Sequence, residues 1–155
     1  MLEVLAAQVA PGWVAVTGLG CELLPGSLDP GTGLRDSVVE PDVAVLAADA
    51  YGAVPDEGYL PGAPALAVDV VSTHDRLAKV TWKASRYLLA GAVVVWVLDP
   101  KRRRAVVFAQ EALPETLPAD GVLTISELAP GGGPAPIGTG VPLDALWEDP
   151  APGRG

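Results

Sequence analysis

A chain of 155 residues, half of them hydrophobic and only 19% charged, is long and apolar enough to bury a core, which excludes global disorder. Eighteen Gly and 16 Pro against 5% aromatics predict a core of Val, Ala and Leu strung between Gly/Pro-rich loops. A formal net charge of −9 excludes a protein that coats nucleic acid by bulk charge, because phosphate binding runs on Lys and Arg displacing counterions. It leaves room for a local basic patch, or for carboxylates meant for a cation.

In chain order, residues 2–9 have helical spacing and stop at Pro11-Gly12; at barely two turns they read as the tail of a longer helix. Trp13 to Thr17 is apolar and β-branched, a strand, with a second short one from Cys21 to Leu24. Cys21 is the only cysteine, so it forms no intrachain disulfide or cysteine-based zinc site, and reads as a small buried hydrophobe. Residues 25–37 are loop by composition. Asp42 to Ala47 is a strand opened by Pro41, and 49–64 read as an exposed loop. The run Ala65 to Val71 is apolar except for Asp69, which suits a strand covered on both faces.

Ser72, Thr73 and Asp75 are all competent N-caps for a helix over 75–90. Its buried stripe is Leu77, Val80, Ala84, Tyr87 and Leu88, and Gly91 stops it. Val93 to Leu98 completes a parallel, right-handed βαβ unit. A basic turn, Lys101 to Arg103, then leads into an antiparallel strand over 105–109. Val122 to Ile125 offers a short strand, 131–142 a Gly/Pro loop, and Val141 to Trp147 an apolar patch that docks on the core. We read 1–149 as one α/β domain and 150–155 as a disordered tail. The first residues carry no signal-peptide pattern, and the longest apolar run, 88–98, is broken by Gly91 and too short for a bilayer. The expectation is a cytoplasmic protein with no membrane partner.

Asp69 carries the most chemistry. A carboxylate inside a strand of Ala, Leu and Val needs a metal ion, a lysine or backbone donors to offset its desolvation. Asp42, at the mouth of a neighbouring strand, reads alone as turn chemistry; beside Asp69 it can share a hard cation such as Mg²⁺. On the helix, 100° per residue places Lys83 at the edge of the buried stripe, with Lys79 and Arg86 on the same flank and Trp82 almost opposite. Either the three cations are a solvated basic flank, or Lys83 reaches over the carboxylates to polarise a water or phosphate oxygen, with nucleic-acid contacts at Lys79 and Arg86. Trp82 is either an exposed side chain or part of a homodimer contact. His74, the only histidine, reads as incidental rather than as a general base. No GxSxG elbow, P-loop, GxGxxG or HExxH occurs, and Gly131 to Gly133 adjoin no helix signal.

The blocks EPDVAVL at 40–46, LAVDVVSTHDR at 66–76 and KASRYLLAGAVVVWVLDPKRRRAVVF at 83–108 resemble, in order, the Uma-type "putative restriction endonuclease" family, a branch of the PD-(D/E)XK nuclease superfamily. The resemblance covers about residues 40–110, with VPLDALWE as a looser match near the end. It implies a restriction-endonuclease-like αβββαβ core with a mixed central sheet and a shortened N-terminal part. It also implies metal-assisted phosphodiester hydrolysis, with DNA as a candidate partner, Asp42 and Asp69 holding Mg²⁺ or Mn²⁺ and Lys83 orienting or activating water. The lysine common two residues beyond the second acid is Val71 here, and Lys83, four residues before Tyr87, takes its part. Three departures stand out: Asp69 replaces the customary Glu, Lys79 stands where relatives often carry Asp, and the N-terminal region is shorter. They keep open an alternative, a catalytically degenerate nuclease fold serving as a binding or oligomerisation module.

Overall fold

A computed structural model of the chain describes residues 2–23, 38–72, 77–125, 135–137 and 140–147. A short helix, α1 (Leu2–Gln8), precedes β1 (Trp13–Val16), β2 (Cys21–Glu22), β3 (Val38–Val39) and β4 (Val43–Ala47). There follow α2 (Ala48–Gly52), β5 (Leu60–Pro61), β6 (Leu66–Val70), α3 (Leu77–Leu89), β7 (Val94–Asp99) and β8 (Arg104–Ala109). The chain closes with β9 (Glu115–Leu117), β10 (Val122–Leu123), β11 (Val141–Pro142) and α4 (Leu143–Trp147).

Six strands form the central sheet in the order β1-β4-β6-β7-β8-β9. Within this sheet only β6 and β7 pair in parallel, and α3 makes the crossover between them. The sheet is therefore mixed, and α1-β1-β4-β6-α3-β7 follows the expected αβββαβ order.

Alternation along each strand divides the core in two. Val43, Val45, Leu66, Val68, Trp96 and Leu98 face one side, covered by Leu5 of α1 and by Leu123, Val141 and Leu143 near the C-terminus. Ala44, Leu46, Ala67, Val95 and Val97 face the other, beneath Val80, Ala84 and Tyr87 of α3. Small residues on β4 and β6 let the helix approach. The patch from 141 to 147 thus docks on the core as expected.

The helix stripe is as the spacing predicts at Val80, Ala84 and Tyr87, and Trp82 is 53% exposed. Gly91, at φ +109, ends α3 in a Schellman motif: its N–H donates to the Leu88 carbonyl (3.1 Å), and the Ala92 N–H to that of Tyr87 (3.0 Å).

Two readings need correction. Residues 49–64 are not wholly an exposed loop: they include the end of α2 and β5, with Leu60 buried. β5 pairs in parallel with β2, which joins β3 in a three-stranded sheet. A two-residue pairing leaves no period to detect. The strand expected over 122–125 is limited to β10, which pairs with β11 inside the supposed Gly/Pro loop. The 25–37 loop, His74, the Thr73 and Asp75 caps, Gly131 to Gly133 and the 150–155 tail lie outside the described residues. Among the described residues no helix is long and apolar enough to cross a membrane.

Candidate active site

β4 and β6 run antiparallel with Val43 opposite Val68, and continuing that register by one residue sets Asp42 opposite Asp69. Like charges placed so repel. Backbone donors and one lysine hold the arrangement. The Asp42 N–H donates to Asp69 Oδ1 (3.4 Å), and the Val70 N–H donates to Asp42 Oδ2 (2.6 Å). Each carboxylate is thus gripped from the strand that carries the other. Lys83 of α3 donates from Nζ to Asp69 Oδ1 (3.3 Å) and to the Glu40 carbonyl (3.1 Å).

Asp69 is 8% exposed, whereas Asp42 is exposed. Burial pushes the Asp69 carboxyl above the usual carboxylate range, and the Asp42 charge adds to this. Lys83, by charge and hydrogen bond, counteracts only part of it. Asp42, Asp69 and Lys83 line one cavity of about 280 Å³ with Val70, Ser72, Lys79 and Val80. Lys79 therefore joins the two acids, while the Arg86 guanidinium stacks 4.8 Å from the Trp82 ring.

Beneath the site lie two groups that sequence reasoning did not connect with it. Tyr87 is fully buried, its hydroxyl has no hydrogen-bond partner among the described residues, and its ring centroid lies 5.8 Å from Lys83 Nζ. Burial raises its pKa, so it stays a neutral phenol. Cys21 is fully buried, and burial pushes its thiol up to about 12, which makes it the inert hydrophobe expected. The cross-strand grips at Asp42 and Val70 also went unforeseen, since they require the register of two strands.

The donor set suits a hard cation. It presents carboxylate oxygens and no sulfur or imidazole among the described lining residues. Among the described residues no group of three or more His, Cys, Asp or Glu forms.

A second buried carboxylate, Asp99, ends β7. Its Oδ1 accepts from the Arg102 N–H (3.2 Å) and its Oδ2 from Arg102 Nη1 (3.1 Å). Arg104 Nε lies 3.5 Å from Oδ2, an ion contact without hydrogen-bond geometry. Burial pushes this carboxyl up, but Arg102 and Arg104 outweigh it and hold it below the usual range. The unfolded chain then takes up that proton more readily. The stabilisation is present at neutral pH and lost as pH falls below about 4 towards the lowered value. Asp99→Asn is expected to lower stability at pH 7 by about 1 kcal/mol, discounted because the Arg102 side chain is largely exposed and that of Arg104 partly so. Urea unfolding should show the difference from wild type shrinking below pH 4.

No curated protein matches the chain. Among solved structures it is similar to a protein from Anabaena variabilis ATCC 29413 described as "a putative nuclease belonging to DUF820". The two share 18% identity and a TM-score of 0.69 over 94% of this chain and 75% of that one, a likeness of fold. The model of the Uma2 family, "Putative restriction endonuclease", matches residues 2–134, and to this family the chain belongs.

Proposed function

We propose that this protein is a metal-dependent nuclease that hydrolyses phosphodiester bonds of DNA, with Asp42 and Asp69 as ligands for Mg²⁺ or Mn²⁺ and Lys83 as the residue that orients the attacking water. The observation that carries this reading is the facing pair of carboxylates with a lysine Nζ on one of them, lining a single cavity. When bound, the cation supplies Lewis-acid polarisation of the phosphoryl oxygen. Lys83, fixed by two acceptors, presents a set cation to the negative charge that develops on the phosphoryl group. Asp69, poorly solvated and crowded by Asp42, gains more from a nearby cation than an exposed carboxylate does. Lys79, on the cavity wall, is placed to meet a neighbouring phosphate.

One observation favours the second reading, a nuclease fold kept for binding alone. Lys79 and Lys83 together balance the formal charge of the two acids, which weakens the pull on a divalent ion. Nicking of supercoiled DNA with Mg²⁺ or Mn²⁺ separates the readings. Lys83→Ala is expected to slow nicking by about 10²–10⁴-fold, while Mn²⁺ binding by calorimetry persists through both acids. Nicking that survives the substitution would remove Lys83 from the mechanism, and a wild type with neither metal binding nor nicking favours the second reading.

A further inference from the structure

The basic turn after β7 has no part in the site as described, yet it stands at the same end of the sheet. Lys101, Arg102, Arg103 and Arg104 are four of the chain's ten Lys and Arg, in a chain with nineteen Asp and Glu. The register of β6 with β7 sets Asp69 level with Val97, and the Val71 N–H donates to the Leu98 carbonyl (2.8 Å). Asp99 therefore lies two residues beyond the level of Asp69, about 7 Å along the strand and about 5 Å across the sheet.

The face is the same as well. Asp69 alternates with Ala67, and Asp99 with Val95 and Val97, residues packed on the α3 side. Arg104 pairs with Asp99 across the hairpin and shares that side. The hairpin and the acid pair thus belong to one surface.

The hairpin is also built to present its charge. Asp99 pins Arg102 through backbone and side chain, yet the Arg102 side chain remains 63% exposed. Lys101 and Arg103 are exposed. The Arg103 N–H closes the turn on the Pro100 carbonyl (3.2 Å), and Arg103 itself sits at φ +49. Gly or Asn takes that conformation at lower cost. An arginine there spends backbone strain where a cation is displayed.

We propose that the Lys101–Arg104 hairpin is a second phosphate-binding element, which grips the nucleic-acid backbone beside the phosphodiester seated at Asp42 and Asp69. The assignment rests on the nuclease reading and adds to it the surface over which the substrate runs. It also accounts for how a chain of net charge −9 holds a polyanion: cations gather at one end of the central strands, where Lys79 and Lys83 add to the hairpin's charge.

The test is binding of a short fluorescein-labelled DNA duplex by anisotropy, in EDTA so that no cleavage occurs, over a range of salt. The variant is Lys101→Ser with Arg103→Gly. Glycine accepts the positive φ and both substitutions leave the Asp99 cluster in place, so a loss of binding is not a loss of fold; an unchanged thermal midpoint checks this. Two lost phosphate contacts should flatten the plot of log K against log salt by about 1.8 and weaken binding about tenfold or more near 0.1 M salt. A wild type that binds and a variant with the same slope and affinity would overturn the hairpin assignment alone. A wild type that binds no duplex at any salt, whether in EDTA or with Ca²⁺ in its place, overturns the nuclease reading and the hairpin's role together.

Discussion

Asp69→Asn is expected to cut nicking by about 10²–10³-fold or more, and at the same time to raise the thermal midpoint at pH 7 by about 2–4 °C, the shift that about 1 kcal/mol makes in a domain of this size. Both effects have one origin. The fold seats a carboxylate in a nearly buried position, opposite a second carboxylate, with one lysine as its counterion. Burial raises its pKa above the unfolded value, so the folded chain takes up this proton more readily than the unfolded one. The favourable contribution is complete below the ordinary Asp pKa and is lost as pH rises through the raised value. At neutral pH the ionised Asp69 is therefore a cost. Asparagine keeps the shape and an Oδ1 that accepts from Lys83 and from the Asp42 N–H, without the charge. Thermal unfolding of both proteins at pH 7 and at pH 3 to 4 gives the check, since the gap should close in acid. A variant less stable than wild type at pH 7 would show that the ion pair with Lys83 outweighs the desolvation. Mn²⁺ calorimetry on the same variant should lose its heat.

Trp96→Ala is the substitution that should hurt the fold most. Trp96 is fully buried in β7, with β6 on one side and β8 on the other, and packs among Leu66, Val68 and Leu98. Removing the indole leaves a cavity that neighbours on three central strands cannot close, at about 3–5 kcal/mol. Against a total of about 5–15 kcal/mol, that is enough to populate the unfolded state. Its Nε1 has no hydrogen-bond partner among the described residues, so the buried N–H is a desolvation cost that Phe removes. Trp96→Phe should therefore cost only about 1.5 kcal/mol or less. Urea denaturation of the two variants tests the account: equal losses would show that the cavity left by the ring is not what destabilises the fold.

The elements legible in the sequence were those with a period or a break. The apolar runs of β6 and β7, the stripe on α3 and the stop at Gly91 fix the βαβ unit without further help. Trp82 could be placed outside by rotation alone. Asp69 announced itself as a charge in an apolar run, and its burial and lysine partner answer that signal. Helical spacing set Lys83 at the edge of the buried stripe, nearer the acids than Lys79 and Arg86, and the family resemblance gave that position most of its weight. What stayed hidden were features made by two distant segments: the pairing of β5 with β2, and the backbone grips between positions 42 and 69–70. Asp99 lay just past the strand expected to end at Leu98, and nothing local says that Arg102 and Arg104 fold back onto it.

The reciprocal grip has a consequence for how the site comes into being. Neither acid is positioned by its own strand, so the pair exists only when β4 and β6 zip in one alignment. A slip of one residue would turn Asp69 to the opposite side of the sheet, away from Lys83, and withdraw the Val70 N–H from Asp42. Competence at this centre is therefore all-or-none with correct strand alignment. A partly assembled or misaligned chain carries every one of these residues and none of the site.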